Sequence, residues 1–335
     1  MGKSQLGRPG HAAATPEESA ELLQLLEPVA VSAVQSAAAA AAAWAGRGDG
    51  IAADEAATTA MRDVLVEKEP VGTVVTGEGA KDEAPMLAPG EQLGRTGPAY
   101  DIAVDPLECT SLCAAGLPGA LTTIGVAGAG ALLSPGPAYY MDKLVVGPAA
   151  RDALDLEAGP LENARRIARA LGISLSELRV VVLDKPRHND LVRDLRALGA
   201  RVSTPTAGDV AGALAAVLSD GDADVLMGIG GTPEGVMTAC AVRSLGGGMQ
   251  ARMAPQREDE ARAVAEAGID VDRVLTLDDL VTGPALFAAA GVTGGTLIPP
   301  PEIEIDGIRI HTLLVTAGEA RRAVAFVPTP GPQEV

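Results

Sequence analysis

From position 161 to 245 the chain alternates helical and extended patterns without a break. Helices are expected over 161–171, 190–198, 209–218 and 233–245, with strands over 180–183, 201–203 and 224–227 between them. The strands are short and almost wholly apolar, so both faces need cover, and a helix stands on either side of each to supply it. That requirement selects an α/β fold with a parallel or mixed sheet between helical layers. Hydrophobic residues make up 47% of the chain but aromatic residues only 2%. Ala, Val, Leu and Gly must therefore fill the interior, and the layers approach closely.

The 335 residues suffice for two medium domains. Segment 148–160 carries little periodic signal and marks a boundary between an N-terminal α+β part, 17–148, and a C-terminal α/β part, 149–328, while 1–16 and 329–335 read as tails. In the first part, helices over 18–45 and 53–68 flank the Gly-rich turn 46–50, and Pro28 is expected to kink or divide the first of them. Strands are expected over 71–76, 100–105 and 139–146, a strand pair over 121–127 and 129–133, and a closing hairpin over 313–316 and 323–327. The Ala-rich stretch 22–44 is interrupted by Glu27, Pro28, Ser32, Gln35 and Ser36, so it reads as a soluble helix rather than a membrane span.

The 44 acidic residues outnumber the 26 basic ones and leave a formal net charge of -18. Such a field repels nucleic acid and gives no reason to adhere to anionic membranes. It would repel a phosphorylated metabolite too, unless Arg, Lys or a bound cation compensates locally. Cys109, Cys113 and Cys240 form no disulfide framework and no secretory leader is evident, so a reducing cytoplasm is the expected location.

In the segment YDIAVDPLECT, Tyr100 to Thr110, strand periodicity puts Asp101, Ala103 and Asp105 on one face and Ile102 and Val104 on the other. Pro106 is expected to end the strand and start a helical turn that brings Glu108 back to Asp105, with Thr110 just beyond it at open backbone N–H groups. Two carboxylates and a hydroxyl so close together suit Mg2+ or Mn2+, hard cations that also take phosphate oxygens. A cation there activates water and neutralises a phosphoryl group. Glu78, between Gly77 and Gly79 at a second strand end, offers a third carboxylate, and Asp54 is a candidate at a helix start.

In GIGGTPEG, residues 228–235, Thr232 is expected to cap a helix with Pro233 at its first position and Glu234 in its first turn. Pro233 stands where the third glycine of a dinucleotide fingerprint belongs, which argues against a Rossmann cofactor site. In KPRH, residues 185–188, Arg187 can fork a phosphate and His188 add one donor, although a solvated loop explains the same residues equally well. Tyr140 and Lys143 are candidates for the same cleft or for packing at the domain joint. Cys109 has no histidine partner nearby in sequence, which disfavours thiol catalysis.

These strings together resemble the class II fructose-1,6-bisphosphatases, a bacterial family with a dual fructose/sedoheptulose branch, within the lithium-sensitive, metal-dependent sugar-phosphate and inositol phosphatases. The matches are GRGD at 46–49, GEG at 77–79, DEAPM at 82–86, DIAVDP at 101–106, Glu108 with Thr110, Tyr140 with Lys143, KPRH at 185–188, GDV at 208–210, and GIGG with PEG across 228–235. The resemblance implies a layered α/β/α/β/α sandwich with metal ions at Asp54, Glu78, Asp105, Glu108 and Glu234. It implies a catalytic part for Asp105, Glu78 and Thr110, and substrate contacts at Glu108, Cys109, Thr110, Tyr140, Arg187, His188, Gly208, Asp209 and Gly231. It also implies a homo-oligomer, and a small phosphorylated sugar or cyclitol as substrate. Four positions depart from the family pattern: Cys109 for glycine, Ala207 for aspartate, Ala52 for threonine and Ala80 for glutamate. The metal ligands stay whole while their surroundings change, which points to a sugar bisphosphate or to a phosphate ester with a different hydroxyl pattern. The alternative is a relative that binds sugar phosphate without hydrolysing it.

Overall fold

The computed structural model describes residues 15–77 and 86–328. Helix α1 (Pro16–Ala42) opens with a capping box in which the Glu18 N–H donates to Thr15 Oγ1 and the Thr15 N–H donates to Glu18 Oε2. It runs through Pro28 undivided. Leu26, Ala30, Ala33, Ala37 and Ala41 are fully or almost fully buried on one face, and burial on both sides of the proline outweighs the one backbone bond it removes. Among the described residues this is the one helix long and apolar enough to cross a membrane, and that buried face makes it a core helix. Helix α2 (Gly50–Glu67) follows, with Asp49 Oδ1 accepting from the Ala52 N–H.

The first sheet is built from β1 (Val71–Thr76), β2 (Gln92–Leu93), β3 (Ala99–Glu108), β4 (Leu121–Gly128), β11 (Ala285–Gly291), β12 (Glu302–Ile303), β13 (Gly307–Thr316) and β14 (Glu319–Pro328). Its order is β12-β13-β11-β4-β3-β1-β2, with β14 on the other side of β13, and only β1 and β3 run parallel. The second sheet has the order β10-β9-β5-β8-β6-β7. Its strands are β5 (Tyr140–Val146), β6 (Arg179–Val181), β7 (Arg201–Ser203), β8 (Val225–Gly231), β9 (Gly248–Met253) and β10 (Leu275–Thr276), and it is parallel only across β8-β6-β7. Sheet membership does not follow position 148: β5 lies in the second sheet, and the chain returns to the first with β11.

Three apolar clusters set the layers. One joins α1 and α2 to the Ile102 and Val104 face of β3 and its neighbours. The second fills the space between the sheets around α6 (Asp209–Val217) and α7 (Thr232–Leu245). The third joins the outer face of the second sheet to α4 (Pro160–Leu171) and α5 (Asn189–Ala197). The result is the expected α/β/α/β/α sandwich, with the short helices α3 (Thr110–Ala115), α8 (Glu258–Glu266) and α9 (Leu277–Leu280) at its periphery.

One expected pairing does not form. Segment 121–128 is a strand, but it pairs with β3 and β11, and 129–133 adds only an isolated bridge from Leu132 to Val281. Both edges of β4 are already taken, by β3 and β11, so when the chain turns at Gly130 (φ 74°), with the Ala131 N–H donating to Gly128 O, 129–133 finds no free edge to pair with.

Candidate active site

Strand β3 does not stop at Pro106. Asp105 pairs with Thr123 of β4 and Glu108 with Leu121, three steps on one strand against two on the other. The extra residue is a bulge, and it changes which way the side chains face. Three residues apart on a regular strand, Asp105 and Glu108 would point to opposite faces; the bulge turns both to the same side. Pro106 suits the place because it has no N–H to leave unpaired, and the Leu107 N–H donates to Asp105 Oδ1 at 3.0 Å. The two acids thus meet through a bulge, where the sequence had suggested a helical turn; that turn begins only at Thr110, in α3.

Between them and α3, Cys109 sits in the left-handed region at φ 65°, ψ 46°. The Thr110 hydroxyl donates to Leu107 O at 2.9 Å, so it presents lone pairs to the cleft. Glu234 arrives from the second sheet, in the first turn of α7, which starts at Thr232 with Gly231 as its N-cap rather than Thr232. A Cβ on Gly231 would lie 1.7 Å from Glu234 Oε2, so the carboxylate occupies the space a side chain would need.

Oxygen atoms of Asp105, Glu108 and Glu234 all lie within 4.8 Å of one another. Burial pushes the Glu108 carboxyl well above its ordinary value, and the charges of Asp105, Asp209 and Glu234 push it the same way. Such a set is unfavourable as three bare anions and is relieved by positive charge. Its donors are all carboxylate oxygens, which fits a hard divalent cation. Asp54, half-buried on α2, is not part of this trio, although the start of α2 packs on α3, where a Cβ on Gly50 would lie 3.1 Å from Thr110 Cγ2. Glu78, with Ala80 beside it, lies outside the described residues.

A buried cation stands next to the acids. Lys143, on the inner face of β5, pairs with Asp209 at the start of α6 and donates to Gly231 O at 2.8 Å. Gly230 has to be glycine here, since its Cβ would come within 2.1 Å of Asp209 Oδ2 and 2.8 Å of Lys143 Nζ. Cys109 and Gly208 also meet: a Cβ on Gly208 would sit 3.5 Å from Cys109 Sγ. Cys109 and Gly208, the neighbour of Ala207, therefore share one corner of the site.

At the distal end, Arg187 stacks on Tyr140 with its guanidinium carbon 5.3 Å from the ring centre, and donates to Ile229 O through Nε and Nη2. His188 does not present a donor to the cleft. Its Nε2 accepts from the Ile229 N–H at 2.8 Å, so its Nδ1 carries the proton and donates to Leu183 O at 2.8 Å. Burial lowers its pKa below the ordinary histidine value, which keeps that neutral tautomer. His188 is a buried pin for the β8 end, where the expectation was a ligand contact. Sequence reasoning missed Glu260, a buried acid on α8 whose carboxylate takes the Tyr139, Tyr140 and Gln256 N–H groups and so orients Tyr140. Nothing local marks it out, because its partners lie far away along the chain.

With this geometry in view, comparison with known proteins agrees. A family model described as bacterial fructose-1,6-bisphosphatase, glpX-encoded, matches residues 25–327. The class 2 fructose-1,6-bisphosphatase of Haemophilus influenzae is 43% identical over 79% of this chain and 84% of its own length. Fructose-1,6-bisphosphatase 1 class 2 of Escherichia coli K12 is 42% identical over 79% of this chain and 83% of its own.

Proposed function

This chain belongs to the bacterial, glpX-encoded fructose-1,6-bisphosphatase family, and on that premise we propose that it hydrolyses a phosphate monoester of a sugar bisphosphate, with Mg2+ or Mn2+ as cofactor. The observation that carries the reading is the convergence of Asp105 and Glu108 from one sheet with Glu234 from the other. These three carboxylates would hold the cation, and Asp54 and Glu78 would add further ligands. The bound cation supplies positive charge to the phosphoryl oxygens and to the attacking water. Thr110 orients that water, since its own proton is committed to Leu107 O and only its lone pairs face the reaction. The strained turn at Cys109 and Thr110 cradles the phosphate. Arg187 and Tyr140 hold the distal anion, His188 and Gly231 shape the strand end beneath it, and the Lys143–Asp209 pair fixes the sugar side beside Gly208.

We also place the chain with the wider lithium-sensitive, metal-dependent phosphatases, in the cytoplasm, as a homo-oligomer; light scattering tests the last point, and a monomer at micromolar concentration would count against it. The alternative of binding without turnover draws on the Cys109 side chain in the phosphate turn. Phosphate release from a panel of mono- and bisphosphates, with and without Mg2+ or Mn2+, decides between them. Hydrolysis of fructose-1,6-bisphosphate that stops on chelation is expected, and Asp105→Asn should lower kcat by about 10²-fold or more, because several kcal/mol of charge stabilisation depends on the cation. Metal-independent release, or none from any member of the panel, would sink the reading.

A further inference from the structure

The second sheet has a cleft on the face turned away from the carboxylates, with a volume of about 300 Å³. Leu144 of β5 and Met227 of β8 form its floor, and Leu156 and Leu191 cover it from the α4 and α5 side. Asp142 and Arg252 stand directly opposite one another in the β5–β9 register and both line this cleft. Neither takes part in an ion pair among the described residues, and both are partly shielded from solvent. Glu157 adds a second carboxylate at the rim. The proposed hydrolysis uses none of the three. Lys143, the next residue along β5, has its ammonium on the other side of the sheet, in the pair with Asp209.

Of the two guanidinium groups along the cleft, Arg187 is turned to Ile229 O and the Tyr140 ring, which leaves Arg252 with one or two anions over an apolar floor, a set that discriminates among ligands. A phosphate dianion would be attracted by Arg252 but opposed by Asp142 and Glu157, and a simple amine would meet the reverse conflict. A zwitterion with an apolar tail satisfies every group. We propose that this cleft binds a small aliphatic α-amino acid, its carboxylate on Arg252, its ammonium on Asp142 and Glu157, and its side chain on Leu144, Leu156, Leu191 and Met227. The volume suits a ligand of that size, and charge-assisted hydrogen bonds in a partly desolvated cleft supply the specificity. Burial raises the Asp142 carboxyl above its ordinary value, with Arg252 opposing that rise, so an ammonium arriving there would favour its ionised form. Arg187 also borders the cleft. If Arg187 holds the distal anion, as in the function proposed above, an occupied cleft would raise or lower KM for the bisphosphate.

Calorimetry on the full chain with no sugar phosphate present tests the site. L-Leucine should bind with one-to-one stoichiometry, while 4-methylpentanoate, which lacks the ammonium, and 3-methylbutylamine, which lacks the carboxylate, should each bind about tenfold or more weakly. Arg252→Gln and Asp142→Asn should weaken leucine by a similar factor, and the analogue series on the native protein stands even if a variant fails to fold. The absence of saturable heat from leucine at millimolar concentration, binding of either analogue as tight as that of leucine, or preferential binding of inorganic phosphate abolished by Arg252→Gln would overturn the site. Because these titrations need no hydrolysis, a protein that binds leucine but releases no phosphate keeps this site and loses the phosphatase reading, and the converse result does the opposite.

Discussion

Glu108 is where stability and function conflict most directly. Burial first, and the neighbouring carboxylates next, favour its neutral form in the folded, metal-free protein. A raised pKa in the folded state means that folding takes up a proton. The stabilisation is then complete below the ordinary carboxyl value of 4.5 and is lost as pH climbs through the raised value. Glu108→Gln removes the charge without removing volume. In thermal melts of chelated protein this variant should match the parent near the ordinary carboxyl pKa and exceed it by about 1–2 kcal/mol at neutral pH, while losing activity. A parent equal to the variant at every pH would show that Glu108 is not strained. Cys109 and Ala207 raise a question of specificity. The resemblance expects at position 207 an aspartate that could accept a sugar hydroxyl, and a Cβ on the neighbouring Gly208 would lie 3.5 Å from Cys109 Sγ. Restoring an acceptor should be worth about 1–3 kcal/mol to a substrate that presents a matching hydroxyl. The kcat/KM of Ala207→Asp for fructose-1,6-bisphosphate should rise by roughly 5- to 150-fold, with Cys109→Gly adding to it by relieving the left-handed strain. An unchanged ratio against a second sugar phosphate would show that this corner does not set preference.

At the scale of elements, strands and helices with strong periodicity were readable and those with misleading composition were not. The strands at 71–76 and 201–203 and the helices of the 161–245 region lie within a residue or two of where the pattern puts them. Strand β11 went unseen because ALFAAAG has little intrinsic strand preference; it is a strand because β4 and β13 flank it and every one of its residues is buried. The bulge in β3 was equally hidden, since Pro106 signals interruption and register alone shows that the strand resumes. The acids themselves were legible, because polar residues after an apolar strand have no packing reason to be there, whereas His188 was misread because its partners are backbone groups that only the fold brings near. Helix α1 shows small residues used for close approach: Ala33, Ala37 and Ala41 are fully buried, and Thr122 of β4 reaches Val34 O at 2.8 Å. Ala37→Leu should therefore destabilise the fold by about 1–3 kcal/mol through overpacking. Because α1 lies on the far side of the first sheet from the carboxylates, kcat of the folded fraction should not change. A melt unchanged by the substitution would mean the helix can shift away from the sheet.

For the whole molecule, the position of the cluster matters more than its composition. Asp105 and Glu108 lie at the end of a strand of the first sheet, Glu234 lies in the first turn of α7 directly after β8 of the second, and α7 contacts strands of both sheets. No pair of neighbouring residues in sequence could bridge the layers in this way, so the site exists only when both sheets are formed and docked. A cation that binds this arrangement and not the unfolded chain adds RT ln(1 + [L]/Kd) to stability, about 2.7 kcal/mol at a concentration a hundred times Kd. In a chain of this size that is a Tm rise of roughly 4 °C. The rise should be lost on chelation and sharply reduced in Glu234→Gln, even though Asp105 and Glu108 remain to bind the ion weakly. Hydrogen exchange distinguishes a bridge from a local effect. With the metal bound, amides at the end of β3 and at the β8–α7 junction should slow together in the parent, while in Glu234→Gln only those of β3 should respond. Protection confined to β3 in the parent as well, or a full Tm rise in Glu234→Gln, would mean that the cation is held by the first sheet alone and that the second sheet is fixed by its apolar packing on α6 and α7.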